Sequence, residues 1–275
     1  MAADAHLRWA LSVWLIILGA LLLIAGCGQA VPTGAPPGTA VVVFLDLSAS
    51  IPADDRRTFK QELESQIVPW LSPGDRLLIA PIHDKTLTEF RPFVEVALPA
   101  RPPFNGWMDN VLKHKRQVKE VDDEIASLKD KIGTEVSRVF KTPSASPYTD
   151  IFSSLLIAQK VFDGESRRKV LILMSDMIED NPPYQFDRMA WKSGTIDRVL
   201  TELDDKKLVA QLPDVCVYVS GVSAKSAEMA ENIGRFWYAY FKRTGADLEP
   251  SRYAHVLLHW PPANSCRPTS TARTR

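Results

Sequence analysis

Asp46, Ser48 and Ser50 follow an apolar run at alternate positions, placing one carboxylate and two hydroxyls in a single short loop. Two more stretches end in similar groups. The run 169–176 closes on Ser175 and Asp176, and Thr149 and Asp150 stand at the start of a helical pattern introduced by Ser-Pro-Tyr. In open α/β sheets, ligands gather beyond the carboxyl ends of the strands, near the point where strand order reverses. With the first strand beside the 169–176 strand, these loops meet. The collected set is two carboxylates and three hydroxyls, with no need of His or Cys. Such hard oxygens suit Mg²⁺ or Mn²⁺ and suit Zn²⁺ poorly. Hydroxyls carry no charge, so a cation they hold directly stays electrophilic and attracts an external carboxylate. The chain's own carboxylates, one shell out, would orient waters and hydroxyls. Taken alone, the 46–50 loop reads equally well as a turn with helix-capping hydroxyls; Thr149 and Asp176 shift the balance towards a metal.

The elements that must position these groups alternate between apolar strands and amphipathic helices. Residues 40–46 form a Val-rich run of a strand buried on both faces. Phe59, Leu63, Ile67 and Leu71 recur four apart, one face of a helix. Further strands are expected at 75–84, 88–98, 169–176, 215–222 and 253–260, and further helices after Thr149, near 196–208 and near 226–241. Pro92 makes 88–98 an edge strand, because Pro cannot donate to a ladder; the Lys85-Thr86 link suggests a hairpin to it. This pattern predicts an α/β fold: three layers, α/β/α, doubly wound on a mostly parallel six-stranded sheet with one antiparallel edge strand.

Residues 107–140 break that rhythm. Val111, Val118, Val121, Ile125, Leu128, Ile132 and Val139 recur at spacings of three, four or seven, with His114 and Glu135 filling the gaps. Seven basic and seven acidic residues interleave there, as on a solvated helix face. A long inserted helix over 106–141 is expected, either laid across the domain or projecting as an arm that pairs through its apolar stripe.

The Asp46-x-Ser48-x-Ser50 motif resembles that of von Willebrand factor type A domains. Thr149, before a helix, and Asp176, after a strand, look like two further residues of that family's metal-ion-dependent adhesion site. The resemblance covers about residues 39–262. It implies Mg²⁺ held directly by the two serines and often the threonine, with the aspartates acting mostly through water. It also implies binding of a partner protein whose carboxylate completes the metal shell. Two departures stand out: Met177 occupies a position that is Gly in many members, and 107–140 is far longer than the usual connection.

Three functional classes follow. The leading expectation is a metal-dependent protein-binding module and not an enzyme. The second is a non-catalytic scaffold assembling through the 107–140 helix, and the third a metal-dependent hydrolase. Against catalysis, an Asp phosphoryl nucleophile usually needs a second carboxylate two residues on, where Ser48 stands. A serine hydrolase needs a Gly-flanked elbow that Leu-Ser-Ala-Ser lacks. His83 and Asp84 lack a third catalytic member and read as structural. Asp150 reads as a first-turn helix charge, and Glu179 and Asp180 as solvated loop charges.

The N-terminus reads as a separate element. Residues 9–25 carry no charge and lead through Ala25 and Gly26 into Cys27. This resembles a bacterial lipoprotein signal (1–27) in which Cys27 is lipidated, followed by a Gly/Pro-rich linker at 28–38. The alternative is an uncleaved inner-membrane anchor helix. With no Asp after Cys27, the resemblance implies the outer membrane and a periplasm-facing domain. Residues 263–275 read as a disordered tail. Cys216 and Cys266 remain, either as a disulfide or with Cys216 as a small core residue. Lys plus Arg equals Asp plus Glu at 33 each, which argues against a general nucleic-acid binder.

Overall fold

The computed structural model describes residues 38–104, 106, 110–142 and 146–262. The chain divides into two units, Met1–Ala35 and Pro36–Arg275, and all described residues belong to the second. The signal, Cys27, most of the linker and the 263–275 tail lie outside the described residues. Among the described residues no helix is long and apolar enough to cross a membrane.

Five strands form one sheet in the order β3-β2-β1-β4-β5: β1 (Thr39–Asp46), β2 (Arg76–Ile82), β3 (Val94–Ala97), β4 (Arg168–Met174) and β5 (Val215–Ser220). All neighbours are parallel except β2 and β3, so the antiparallel edge strand stands as expected. All eight residues of β1 are buried. Val42 and Phe44 point into one apolar layer, Val41, Val43 and Leu45 into the other, as the period of two requires. One layer is closed by α1 (Ala53–Glu62) and α2 (Val111–Lys141), the other by α3 (Ile151–Phe162), α4 (Thr195–Asp205) and α5 (Ala227–Thr244). Both layers close within Pro36–Arg275, so this unit has the core it needs to fold alone.

α1 continues through a π turn, Leu63–Ile67, into a last helical turn, Val68–Trp70. Pro69 has no N–H for the Ser65 carbonyl and its ring crowds that group, so the helix widens just before it. Glu62 at the end of α1 is buried; it accepts from Ser220 Oγ (2.7 Å) and from Leu257 N (2.6 Å). Gly221, at φ 105°, leaves room for Phe59 of α1, whose ring would lie 2.5 Å from any added Cβ.

Two expectations need correction. The sheet has five strands, not six, because 253–260 makes one isolated bridge, Tyr253 to Val219, and its backbone bonds to the end of β5 stop at His255. Beyond it the Leu257 amide goes to the Glu62 carboxylate instead of a ladder, and His259 turns to φ 58°. The β2–β3 link is also no tight hairpin. Residues 83–93 intervene, folded into turns by Thr86 N to His83 O (3.3 Å) and Glu89 N to Lys85 O (2.9 Å), and β3 starts only after Pro92.

The long helix is continuous from Val111 to Lys141, with Asn110 as N-cap accepting from Leu112 N at 2.9 Å. Its buried residues are Ile125, Ile132, Val136 and Val139, so its C-terminal part lies across the domain.

Candidate metal and ligand site

β1 delivers Asp46 to the carboxyl edge of the sheet, next to β4, where strand order reverses. Asp46 is fully buried. Its Oδ1 accepts from Ser48 N (3.0 Å) and its Oδ2 from Ser175 Oγ (2.9 Å), with Thr149 Oγ1 at 3.4 Å. Ser48 Oγ lies 2.9 Å from Ser50 Oγ and 3.1 Å from Thr149 Oγ1. The three hydroxyls therefore form one cluster above the Asp46 carboxylate. Ser48 and Thr149 are buried and Ser50 is exposed, so the cluster opens to solvent on the Ser50 side.

The loop holding the serines is clamped from behind. Arg56 of α1 donates to three of its carbonyls: Ser48 (2.7 Å), Leu47 (2.9 Å) and Ile51 (3.3 Å). Thr149 is fixed by the start of α3. Asp150 caps that helix, accepting from Ser153 N (2.9 Å), Ser153 Oγ (2.6 Å) and Asn181 Nδ2 (2.9 Å). Glu179 adds a second cap, its Oε2 accepting from Ile151 N at 2.8 Å, and Asp180 N donates to Thr149 O at 3.1 Å. Glu179 is thus a buried capping group and not the solvated loop charge expected from sequence. Burial, then the charge of Asp150, drives its carboxyl well above the usual range.

Asp176 follows β4, nearly buried, with Oδ1 accepting from Ile178 N at 2.9 Å. Burial first, and the charge of Asp46 second, push its carboxyl up to about 7. Burial also raises Asp46 against the lowering effect of its hydrogen-bond donors. Two carboxylates that disfavour joint ionisation mark a place suited to a cation. Met177 occupies the left-handed region at φ 65°. It is buried, donates its N–H to Ser175 Oγ (3.0 Å) and accepts from Trp237 Nε1 (2.8 Å) at its carbonyl.

The donor set can be tested against the ion. Octahedral Mg²⁺ with bonds of ~2.0–2.1 Å places adjacent ligand oxygens about 2.9 Å apart. The hydroxyl spacings of 2.9 and 3.1 Å fall on that edge length. Among the described residues no group of three or more His, Cys, Asp and Glu has the arrangement to hold a metal; this set relies on hydroxyls instead. His83 and Asp84 serve locally, His83 Nδ1 accepting from Lys85 N (3.0 Å) and Asp84 meeting Ser146. A cavity of about 450 Å³ is lined by Leu47, which stands between Asp46 and Ser48 in the chain, and by Ile82, His83, Phe93, Val139 and Pro147 among others.

No protein-family model matches the sequence, and no curated protein matches it either. Among solved structures the chain is similar to proximal thread matrix protein 1 from the mussel byssus, at 16% identity and a TM-score of 0.38, covering 72% of this chain and 39% of that one. It is also similar to the manganese-loaded TRAP protein of Plasmodium vivax (12% identity, TM-score 0.35, 71% and 62% covered). A third is a von Willebrand factor type A protein from Catenulispora acidiphila (12%, 0.35, 76% and 43%). The chain spans about two fifths of the mussel protein and less than two thirds of the other two. All three TM-scores lie under 0.5, so the functional reading stands on the chain's own residues.

Proposed function

We propose that this chain is a metal-dependent protein-binding module of the von Willebrand factor type A kind, tethered to a bacterial membrane. The observation that carries it is the convergence of Ser48, Ser50 and Thr149 at the spacing of an octahedral edge above the buried Asp46. Those three hydroxyls would hold Mg²⁺ or Mn²⁺, with Asp46 and Asp176 acting through water. Bound there, the metal offers an open position to a carboxylate on a partner protein. The chain does the rest. Arg56 holds the serine loop and the two α3 caps hold the start of the helix behind Thr149. The cavity lined by Leu47 and Pro147, close in sequence to Ser48 and Thr149, would take a side chain neighbouring the partner's carboxylate.

Tethering through lipidated Cys27, with an outer-membrane, periplasm-facing domain, is part of the same proposal. Cys216 is disulfide-bonded, which supports an oxidising compartment.

The test is a pull-down from the native envelope with and without chelator, comparing wild type with Ser48→Ala, alongside Mg²⁺ and Mn²⁺ calorimetry. The expected result is one partner set lost equally to chelator and to Ser48→Ala, with the fold retained by circular dichroism. Partner capture indifferent to both would overturn the reading.

A further inference from the structure

α2 carries more surface than its packing uses. All its buried side chains lie from Ile125 onward, where Lys129 Nζ donates to Pro69 O (2.8 Å) and Ser137 Oγ to Glu64 Oε1 (2.9 Å). No residue of 111–124 is buried. That stretch, about 21 Å long at ~1.5 Å per residue, is braced and not loose. Arg101 pairs with Asp122 at 2.8 Å, and the Phe104 ring packs on His114 at 4.8 Å.

The N-terminal end of α2 is apolar. Phe104 (45% exposed), Val111 (52%) and Leu112 (78%) are three of the seven large hydrophobics exposed among the described residues, so the exposure is concentrated here. Immediately behind them come Lys113, Lys115, Arg116 and Lys119. Among the described residues Arg116 pairs with Glu120 at 3.0 Å, and no described acidic residue pairs with Lys113, Lys115 or Lys119. Within α2 the first acidic residue is Glu120, followed by Asp122, Asp123 and Glu124; Asp109 precedes the Asn110 cap. Residues 111–119 of the helix thus carry four basic side chains and no acidic one. Leu112, Lys115, Arg116 and Lys119 share one side of the helix.

This arrangement works against the helix itself. The first turn contains no acidic residue, and lysines at the positive end of the macrodipole weaken a helix. A local rule broken without local gain points to an external ligand. An apolar leading end with a basic collar matches a surface that is apolar inside and anionic at its boundary. A coiled coil with a second copy fits less well, because Val118 and Val121 of the stripe are already half-buried.

We propose that this end of α2 docks on an anionic phospholipid surface, with Leu112, Val111 and Phe104 entering the interface and Lys113, Lys115 and Lys119 at the phosphates. The docking is independent of the metal site.

The test uses residues 36–275, which hold both core layers and lack the apolar leader, in co-sedimentation with vesicles of phosphatidylcholine with or without phosphatidylglycerol. Binding is expected to the anionic vesicles and to fall with salt. Lys113→Glu, Lys115→Glu and Lys119→Glu together should lower partitioning on the order of 100-fold, and Leu112→Asp by roughly tenfold or more. All four positions are exposed, so circular dichroism should show the helix retained. No vesicle binding, equal binding to both vesicle types, or binding that the variants leave unchanged overturns the proposal. Self-association abolished by Leu112→Asp, without vesicle binding, would overturn it in favour of a second copy.

Discussion

Thr149 Oγ1 lies 3.1 Å from Ser48 Oγ, across 101 residues of sequence. The contact joins the start of α3 to the loop after β1 and brings in the one hydroxyl of the cluster from outside that loop. It depends on β1 and β4 being neighbours, since Asp180 N and Glu179, both in the loop after β4, hold the start of α3.

Thr149→Val keeps the shape and removes only the hydroxyl. Without metal it should cost about 1 kcal/mol, the usual net worth of one hydrogen bond. Mg²⁺ affinity should fall roughly tenfold or more by calorimetry. A variant that binds Mg²⁺ as well as wild type would place the ion elsewhere.

The metal-free protein should lose stability as pH rises. The folded Asp176 carboxyl titrates at about 7, above its usual 3.8, so the folded state holds this proton more tightly than the unfolded state. Its contribution is fully present below about pH 4 and lost as pH passes 7. Asp46 and Glu62, raised by burial, act in the same direction. For Asp176 alone the change between pH 5 and pH 8 is about 2–3 kcal/mol, or roughly 5–10 °C in Tm for a domain of this size. Thermal melts in chelator should show the decline, Asp176→Asn should flatten it, and Mg²⁺ should reverse it at pH 8. A Tm that rises from pH 5 to pH 8 in chelator would contradict this assignment.

Much of this site was legible because its parts obey local rules. An unbroken apolar run ending in Asp46 announces a buried strand and its carboxyl end. The spacing of two puts Ser48 and Ser50 in one loop. Thr149 and Asp176 stand at ends of elements that the apolar pattern already bounds. What was not legible depends on distant partners. Nothing in the run 47–56 says that Arg56 turns back onto three carbonyls, because an exposed helical arginine has the same pattern. Ser175 stood visibly beside Asp176, but its bond to Asp46 needs the β1–β4 register. Glu179 read as a loop charge because only the tertiary fold sets it against two free amides at the start of α3. The apolar run 253–260 fitted a strand by composition, and the buried Glu62 took one of its amides.

Arg56→Lys tests the clamp. Lysine retains the charge but cannot span three carbonyls at once. The expected cost is about 1–2 kcal/mol, with faster amide exchange confined to residues 47–51. Mg²⁺ affinity should drop with it, on the order of tenfold, because the serine hydroxyls lose their fixed spacing. Unchanged exchange in the loop would show that Arg56 does not hold it.

Met177 tests the backbone beneath the rim. At φ 65° a residue with a Cβ pays a steric penalty that Gly avoids, about 1 kcal/mol. The side chain is buried against the aromatic layer around Phe186 and Trp237, so its removal costs about 2–5 kcal/mol. Met177→Ala and Met177→Gly share that loss, but only the glycine variant also sheds the penalty. Met177→Gly should therefore be more stable than Met177→Ala by about 1 kcal/mol, the reverse of their order in a helix or strand. Urea midpoints of the two variants decide it. An alanine variant equal to or better than glycine would mean that this position is not left-handed in solution, and that Ser175 and Asp176 are aimed at the site by some other constraint.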